Sequence, residues 1–232
     1  TRSEKRKDSY DRFRGRLIFP IESLAGKVVG FGGRVLGAGR EGTPKYVNSP
    51  ESPIYHKGGV LYGLSWAKNA IRRRETALMV EGYMDVVSLA AAGFDNAVAP
   101  LGTAVTSDQV ALLHRFTSRI HLLFDSDAAG LKATFRAADL LLAGNVHPCV
   151  VTLPPGEDPD TIVHSEGAEA LKGYIDGAID VLDRKIQMLE EHDHFKSSEH
   201  RRTAIDRLLP TLRAVQDPVL RDIYIKKVSD CT

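Results

Sequence analysis

The stretch that decides the fold reads Ala-Leu-Met-Val-Glu-Gly-Tyr-Met-Asp-Val at residues 77–86. Its first four residues form a short apolar run, typical of a strand buried on both faces. Glu81 and Gly82 follow at once, and apolar residues at helical spacing then continue from Asp85 to Ala92. The stretch therefore predicts a buried strand that ends in an acidic residue, a tight turn and a helix.

The same alternation of strand and helix continues along the chain. Further predicted strands are Asn96–Ala99, Ile120–Phe124 and Val146–Leu153, and further predicted helices are Ser107–Arg115, with Ser107 as its cap, and Ala128–Leu142. Short apolar strands that alternate with helices form a parallel sheet with right-handed crossovers. The fold class predicted for residues 75–166 is therefore α/β.

Different patterns flank this α/β unit. Residues 1–74 are predicted to form a β-rich basic subdomain with short strands at Leu17–Ile21, Val28–Phe31 and Val35–Leu36. An extended loop over 43–50 and a helix over 61–74 complete this subdomain. Residues 167–232 are predicted to form a helical bundle. Its first helix is marked by one apolar stripe from Leu171 to Leu189, long enough for about six turns, and caps at Ser197 or Ser198 and at Asp217 indicate two more helices.

Composition and charge exclude several classes of protein. With 43% hydrophobic and 26% charged residues, the chain can bury a core, so a disordered protein is excluded. It has no apolar run of about 20 residues that could span a membrane. Two cysteines, Cys149 and Cys231, can form neither a disulfide framework nor a cysteine-rich zinc site. Because the sequence opens without a methionine, we expect a piece of a longer protein.

The overall charge of +1 conceals an uneven distribution of charge along the chain. Residues 1–74 contain 16 Lys and Arg but 6 Asp and Glu, a net charge of +10, whereas residues 75–232 contain 15 and 24, a net charge of −9. The first segment should attract polyanions and the second should attract cations.

Acidic residues follow three of the predicted strands. Glu81 ends the first, Asp125 and Asp127 end the third, and Asp158 and Asp160 come shortly after the fourth. Since parallel strands end at one edge of a sheet, these carboxylates should converge there. A donor set made of oxygen alone favours Mg²⁺, with Mn²⁺ as a substitute, over zinc. For each residue alone, a helix N-cap or a loop acid is the alternative interpretation.

Several motifs together resemble one family. Residues 80–86 (VEGYMDV), 124–130 (FDSDAAG) and 157–160 (EDPD) resemble the Toprim domain that primases, topoisomerases and some nucleases share. Residues 10–14 (YDRFR), 31–34 (FGGR), 44–51 (PKYVNSPE) and 56–58 (HKG) are similar to the basic segment of the RNA polymerase core of bacterial replicative primases, the DnaG type. Ser126 stands where the family often has glycine.

The resemblance implies a Mg²⁺-dependent polymerase that copies single-stranded DNA into a short RNA primer from ribonucleoside triphosphates. It implies that Glu81, Asp125 and Asp127 are the central catalytic and metal-binding acids, with Asp85, Asp158 and Asp160 in support. It also implies that incoming phosphates and nucleic acid are held by Arg34, Lys45, Asn48 and Lys57. Candidates for base stacking are Tyr10, Phe13, Phe31 and Tyr46.

The resemblance implies further partners and a location. Members of the family carry a zinc-binding domain and a helicase-binding domain, both expected outside this chain, so contacts with the replicative helicase and the single-strand binding protein are expected through parts that the chain lacks. The expected location is the replication fork in the bacterial cytoplasm. Two alternatives stay open: another Toprim enzyme, such as a nuclease or topoisomerase, and a non-catalytic module that binds nucleotides or single-stranded DNA.

Overall fold

The computed structural model describes residues 2–3, 6–9, 11–37, 42–102 and 104–232, with side chains from residue 11 onward. Tyr10, a candidate for base stacking, lies outside the described residues. Within the part described, no helix combines the length and the apolar character needed to cross a membrane.

A five-stranded sheet forms the centre of the fold. Its order is β10-β9-β8-β6-β7, where β10 is the short edge strand Ile179–Asp180. Its parallel strands are β6 (Ala77–Met79), β7 (Ala97–Val98), β8 (Arg119–Leu122) and β9 (His147–Val150). The four predicted strands are confirmed, each somewhat shorter than its apolar run. Successive residues of β6 alternate between two cores, because Ala77 and Met79 pack on one face and Leu78 on the other.

Helices cover both faces of this sheet. On one face lie α1 (Leu64–Arg74), α3 (Ser107–His114) and α4 (Ala128–Ala143), and on the other lie α2 (Tyr83–Ala91), α5 (Pro159–Ser165) and α6 (Ala168–Asp176). The predicted α/β class is therefore confirmed. The cap of α3 differs from the prediction: Thr106 accepts a hydrogen bond of 3.2 Å from Gln109 N, and Ser107 is the first helical residue.

The basic segment folds around a three-stranded antiparallel sheet of β3 (Arg16–Glu22), β4 (Val28–Val35) and β5 (Tyr46–Asn48). A separate pair, β1 (Arg2–Ser3) and β2 (Arg6–Ser9), precedes it. The prediction of two short strands around Gly32 and Gly33 was wrong, since β4 runs through both glycines. A Cβ atom on either would lie 2.6 Å from an aromatic ring, so the glycines admit a close neighbour and do not end the strand.

Part of the stretch predicted as an extended loop is also a strand. Residues 46–48 form β5, which pairs with β4 in the register Gly32 with Asn48 and Arg34 with Tyr46. The two prolines that suggested a loop, Pro44 and Pro50, lie just outside this strand. They therefore bound β5 without removing a donor from its ladder. Residues Lys57–Gly59 form a short 3₁₀ helix before α1.

The tail departs from the predicted single long helix. After α6 the chain turns at Gly177, adds the antiparallel edge strand β10 (Ile179–Asp180) to β9, and continues as α7 (Val181–Glu191). Asp180 fixes the break, because its side chain accepts hydrogen bonds from Leu182 N at 2.8 Å and from the Tyr224 hydroxyl at 2.5 Å. The helices α8 (Ser198–Ala214) and α9 (Pro218–Cys231) follow, capped by Ser197 and Asp217 as predicted.

Candidate active site

The edge of the sheet that carries Glu81, Asp125 and Asp127 is called the acidic edge. It lies at the point where the chain changes the side on which it adds strands to the sheet. The chain passes from β6 to β7 on one side and then crosses to β8 on the other, so the carboxyl ends of β6 and β8 flank a crevice. Glu81 lies two residues beyond β6 and Asp125 lies three residues beyond β8. The ladder continues past the strands: Leu123 N donates to Met79 O at 2.9 Å, and Asp125 N donates to Glu81 Oε1 at 3.2 Å.

Burial and mutual repulsion perturb this pair of carboxyl groups. Burial is the largest cause that raises the pKa of Glu81, followed by the charges of Asp125 and Asp127. The pKa of Asp125 is raised chiefly by burial and then by Asp158 and Asp127, while Lys45 opposes the rise. Carboxyl groups from separate strands therefore affect one another, as the predicted convergence requires.

Asp127 and Gly130 complete this end of α4. The Asp127 side chain is exposed and caps the helix, accepting a hydrogen bond of 2.7 Å from Gly130 N. A Cβ atom at residue 130 would lie 2.3 Å from the carbonyl oxygen of Asp125 and 2.9 Å from Glu81 Oε1. A side chain at 130 would therefore displace the backbone that carries the acids.

Asp85 lies four residues after Glu81, in the first turn of α2. Its Oδ2 accepts a hydrogen bond of 2.9 Å from Gly82 N at the start of α2. Burial raises the pKa of Asp85 to about 7, and the charges of Asp125, Asp158 and Asp160 add to the rise. Asp85 is thus part of the same electrostatic cluster as the residues that follow β8 and β9.

Asp158 and Asp160 reach the cluster from the start of α5. Asp158 caps this helix by accepting a hydrogen bond of 2.7 Å from Thr161 N. Asp160 accepts a hydrogen bond from the Ser88 hydroxyl of α2, and Nδ1 of His164 lies 3.3 Å from its Oδ1. The helix-cap interpretation therefore applies to Asp127 and Asp158, and it coexists with their part in the cluster.

The chemistry of these six side chains fits a hard divalent cation. All the donors are carboxylate oxygens, which Mg²⁺ and Mn²⁺ prefer. Burial raises the pKa values of Glu81, Asp85 and Asp125 most, and neighbouring carboxylates add a repulsion that a cation would relieve. Across the described ranges, however, no group of three or more acidic, histidine or cysteine side chains is already arranged to hold an ion. The magnesium site therefore remains a prediction.

A cation faces the acids from the residue that precedes β5. Lys45 is exposed and close enough to Asp125 to lower its pKa. The Arg34 guanidinium lies 5.8 Å from the centre of the Tyr46 ring. Together with Met84 of α2, Arg34 and Lys45 line a cavity of about 510 Å³.

The structure does not bring the other two predicted binding residues to the acids in the same way. The Asn48 side chain accepts a hydrogen bond of 2.7 Å from the Tyr83 hydroxyl and donates one of 2.9 Å to Leu101 O. Two hydrogen bonds hold the backbone of Lys57: its N–H donates to Glu51 Oε1 and its carbonyl oxygen accepts from Gln109 Nε2. Among the described residues, no hydrogen bond or ion pair joins the Lys57 ammonium group to the cluster.

Two residues near the acids were missed by the sequence analysis. Arg136 of α4 lines, with Glu81, a cavity of about 390 Å³, and Tyr83 links α2 to β5. No sequence motif marks Arg136. The pair Gly32 and Gly33 was a signal for Tyr83, because adjacent glycines within a strand indicate that another group approaches closely.

Comparisons with known proteins agree with this arrangement. Residues 1–68 match the family model "DNA primase catalytic core, N-terminal domain" and residues 78–163 match "Toprim-like". The crystal structure of a DNA primase domain from Pseudomonas aeruginosa is 37% identical and superposes with a TM-score of 0.90, covering 100% of this chain and 73% of that one. The chain belongs to the DnaG-type primase catalytic-core family.

Other relatives of this primase core extend the comparison. A structure of the DnaG primase catalytic domain bound to single-stranded DNA is 38% identical, with a TM-score of 0.85 over 99% of this chain and 74% of that one. DNA primase from Clostridium acetobutylicum is 43% identical over 230 residues, which are 99% of this chain and 38% of that protein. The chain therefore spans less than half the length of the full primases it resembles. Because primase matches cover the basic segment as well as the Toprim unit, they favour a primase over a topoisomerase or nuclease.

One match corrects an expectation about the tail. Residues 185–230 of this primase core match the family model "DnaB-helicase binding domain of primase". The sequence analysis placed any helicase-binding part beyond the chain, whereas this resemblance lies within it, over α7 to α9.

Proposed function

We propose that this chain is the nucleotidyl-transferring core of a bacterial primase, which synthesises short RNA primers from ribonucleoside triphosphates on a single-stranded DNA template. The observation that carries the proposal is the pairing of the acids Glu81, Asp125 and Asp127 with the cation Lys45, which shares a cavity with Arg34. The carboxylates suit a divalent cation, and the positively charged side chains suit phosphates. Nucleotidyl transfer needs both within reach of one substrate.

The residues divide the work between them. Glu81, Asp125 and Asp127 would hold Mg²⁺ or Mn²⁺, with Asp85, Asp158 and Asp160 in support. When bound, the ion supplies charge neutralisation at the phosphates and activation of the attacking 3′-hydroxyl. Lys45 and Arg34 would hold the triphosphate in line with that hydroxyl, so that catalysis is mainly positioning and charge stabilisation.

The template would lie along the basic sheet. Phe31 is 41% exposed on β4 and makes an edge-to-face contact with Phe13 at 6.4 Å between ring centres. An exposed ring on a strand of the basic segment is a suitable platform for stacking a base of single-stranded nucleic acid. Such binding depends on phosphate charge and stacking, so it should show little preference for sequence.

The test is incorporation of labelled ribonucleotides by the purified chain on a single-stranded template with an annealed primer and Mg²⁺. We expect extension by the parent protein and its loss in Asp125→Asn. Asp206→Asn is the matched control, because Asp206 is an exposed acid that pairs with Arg202 at 3.2 Å on α8. Extension that survives Asp125→Asn contradicts the acid assignment, nicking of plasmid without extension favours a nuclease, and DNA binding without extension favours a non-catalytic module.

A second proposal concerns a partner. We infer that α7 to α9 contact the replicative helicase at the fork, supported by the family match over 185–230 and by the apolar outer face of α9. On that face Val219 is 66% exposed and Ile223 is 48% exposed, one turn apart. Val219→Glu with Ile223→Glu should weaken association with the helicase in analytical ultracentrifugation, whereas Ile54→Glu, at an exposed apolar residue of the basic segment, should not. Unchanged association would refute this surface.

The division into units also stays a proposal. We place the boundaries after residues 74 and 166, although α1 packs into the core of the central sheet and β10 adds an edge strand to it. Limited proteolysis that cuts near these positions and leaves a stable middle piece would support the division.

A further inference from the structure

We propose that Tyr83 is a positioning residue, which holds the basic sheet β3–β5 at a fixed distance from the acidic edge. The inference rests on the proposed function, since it concerns how the two halves of that site are kept together. Tyr83 is the first residue of α2 and lies between Glu81 and Asp85 in the sequence.

A chain of hydrogen bonds runs from Tyr83 through Asn48. The Tyr83 hydroxyl donates to Asn48 Oδ1 at 2.7 Å, and Asn48 Nδ2 donates to Leu101 O at 2.9 Å. The Asn48 backbone oxygen accepts a third bond, of 2.9 Å, from Arg12 Nε. Asn48 therefore joins the start of α2, the segment after β7 and the residues before β3, and its side-chain oxygen is engaged inside the protein.

Neighbouring rings fix the orientation of the Tyr83 ring. It stacks on Phe19 with 5.1 Å between ring centres, meets the edge of Tyr62 at 4.7 Å and lies 5.8 Å from Tyr46. The backbone of Gly32 is a fourth close neighbour, since a Cβ atom there would approach Tyr83 Cζ to 2.6 Å. A ring that is 4% exposed among such neighbours can place its hydroxyl in one direction.

The hydrogen bond between Tyr83 and Asn48 lies between the acids and the cations of the proposed site. Asn48 is three residues from Lys45, which faces Asp125, and Tyr83 is two residues from Glu81. Neither group needs the link to keep its own conformation, because Asp125 N is bonded to Glu81 and the Lys45 carbonyl accepts a hydrogen bond of 3.0 Å from Val35 N of β4. A substrate that contacts both groups does need it, since misplacement by about 1 Å is enough to reduce catalysis about a hundredfold.

Tyr83→Phe tests the link because it removes the hydroxyl and keeps the ring. Tyr62→Phe is the matched control: Tyr62 belongs to the same aromatic cluster and is also 4% exposed, but its hydroxyl has no hydrogen-bond partner among the described residues. Three quantities are measured for each protein, namely Mn²⁺ affinity by calorimetry, single-stranded DNA affinity by fluorescence anisotropy, and kcat and KM for the incoming nucleotide.

For Tyr83→Phe we expect affinities for Mn²⁺ and DNA within twofold of the parent and kcat/KM for the nucleotide reduced at least tenfold. Tyr62→Phe should stay within twofold in all three. Equal behaviour of the two variants would overturn the inference, and so would a loss of Mn²⁺ or DNA affinity as large as the loss of kcat/KM, since that indicates general damage to the structure.

A second comparison keeps the test independent of folding. In an Asn48→Ala background the hydroxyl has lost its acceptor, so adding Tyr83→Phe should reduce kcat/KM less than twofold further. A full additional loss would refute the pairing. If the parent protein itself incorporates no nucleotide, the proposed function fails and this inference with it, whereas an active parent with an unaffected Tyr83→Phe overturns the inference alone.

Discussion

The backbone N–H of Asp125 donates a hydrogen bond of 3.2 Å to the side chain of Glu81, although the two residues are 44 positions apart. The bond extends the contact between adjacent parallel strands beyond their last paired residues. It holds the two acids side by side through the fold itself. Their proximity is therefore built before any cation binds, and the charge of Asp125 adds to the burial that raises the pKa of Glu81.

Neutralising one of these acids should stabilise the protein and abolish its activity. In Asp125→Asn the repulsion with Glu81 and Asp158 disappears, so the free energy of unfolding without divalent cations should rise by roughly 1 kcal/mol. A change of that size raises the melting temperature by about 2–4 °C in a chain of this length. Nucleotide incorporation should fall by at least about a hundredfold.

Thermal unfolding with and without Mn²⁺ checks this prediction. An ion at about one hundred times its Kd stabilises the parent by about 2.7 kcal/mol, and Asp125→Asn should gain much less. A variant that is less stable than the parent in EDTA, or that gains as much from Mn²⁺, would contradict the assignment of Asp125 to the cation site.

Gly130 should tolerate no side chain. In Gly130→Ala the new Cβ atom would meet the Asp125 carbonyl oxygen at 2.3 Å, which forces backbone to move next to Glu81. We expect a loss of roughly 1–3 kcal/mol in the free energy of unfolding, measured by urea titration, and a loss of incorporation activity.

Gly173→Ala is the control for that change. Gly173 lies in the interior of α6, and a Cβ atom there would have no described atom within 4 Å, so alanine should increase the free energy of unfolding by about 0.5–1 kcal/mol. If both variants changed stability in the same direction, the close contact at Gly130 would not be the cause of the loss.

The sequence predicted well what depends on local pattern. Strand β6 and the helix caps at Ser197 and Asp217 follow from apolar periodicity and capping chemistry, which act over a few residues. The convergence of the acids also followed, because a parallel sheet leaves its strand ends at one edge whatever the loops do.

The failures arose where distant contacts decide the local structure. The apolar stripe from Leu171 to Leu189 continues in phase across Gly177, so periodicity could not reveal a break that depends on the Tyr224 hydroxyl meeting Asp180. Gly32 likewise suggested the end of a strand because Tyr83, 51 positions away, is absent from any local window. The hydrogen bonds of the Asn48 side chain were missed for the same reason, because its partners Tyr83 and Leu101 are distant in the sequence.

Acid should destabilise the protein partly through His121. Burial, aided by the charge of Arg119, lowers the pKa of this imidazole below its ordinary value, and within the described part of the chain its buried Nδ1 has no hydrogen-bond partner. Between the unfolded and folded pKa values the unfolded chain binds more protons, so stability is present above pH 6.5 and is lost as the pH falls through the folded pKa.

His121→Leu should therefore lose less stability between pH 7.5 and pH 5, and should be more stable at pH 7.5 by roughly 1 kcal/mol, since a buried unpaired nitrogen is removed. Urea titrations at the two pH values measure both effects. His147→Leu, which removes an exposed imidazole from the neighbouring strand β9, is the control. An unchanged pH dependence in His121→Leu would show that another group is responsible.

Binding of single-stranded DNA should weaken steeply with salt, because the basic segment carries a net charge of +10. Each phosphate contact that is lost should reduce the slope of log K against log salt by about 0.7. Lys45→Ala removes one exposed cation next to Asp125, so we expect a slope smaller by about that amount and little change in preference among template sequences.

Arg202→Ala is the control, since Arg202 is an exposed cation on α8 that already pairs with Asp206. Fluorescence anisotropy at salt concentrations between about 50 and 200 mM gives both slopes. Equal slopes for Lys45→Ala and the parent would mean that the template does not pass over the cations that face the acids, and the arrangement proposed for the active site would need a different path for the DNA.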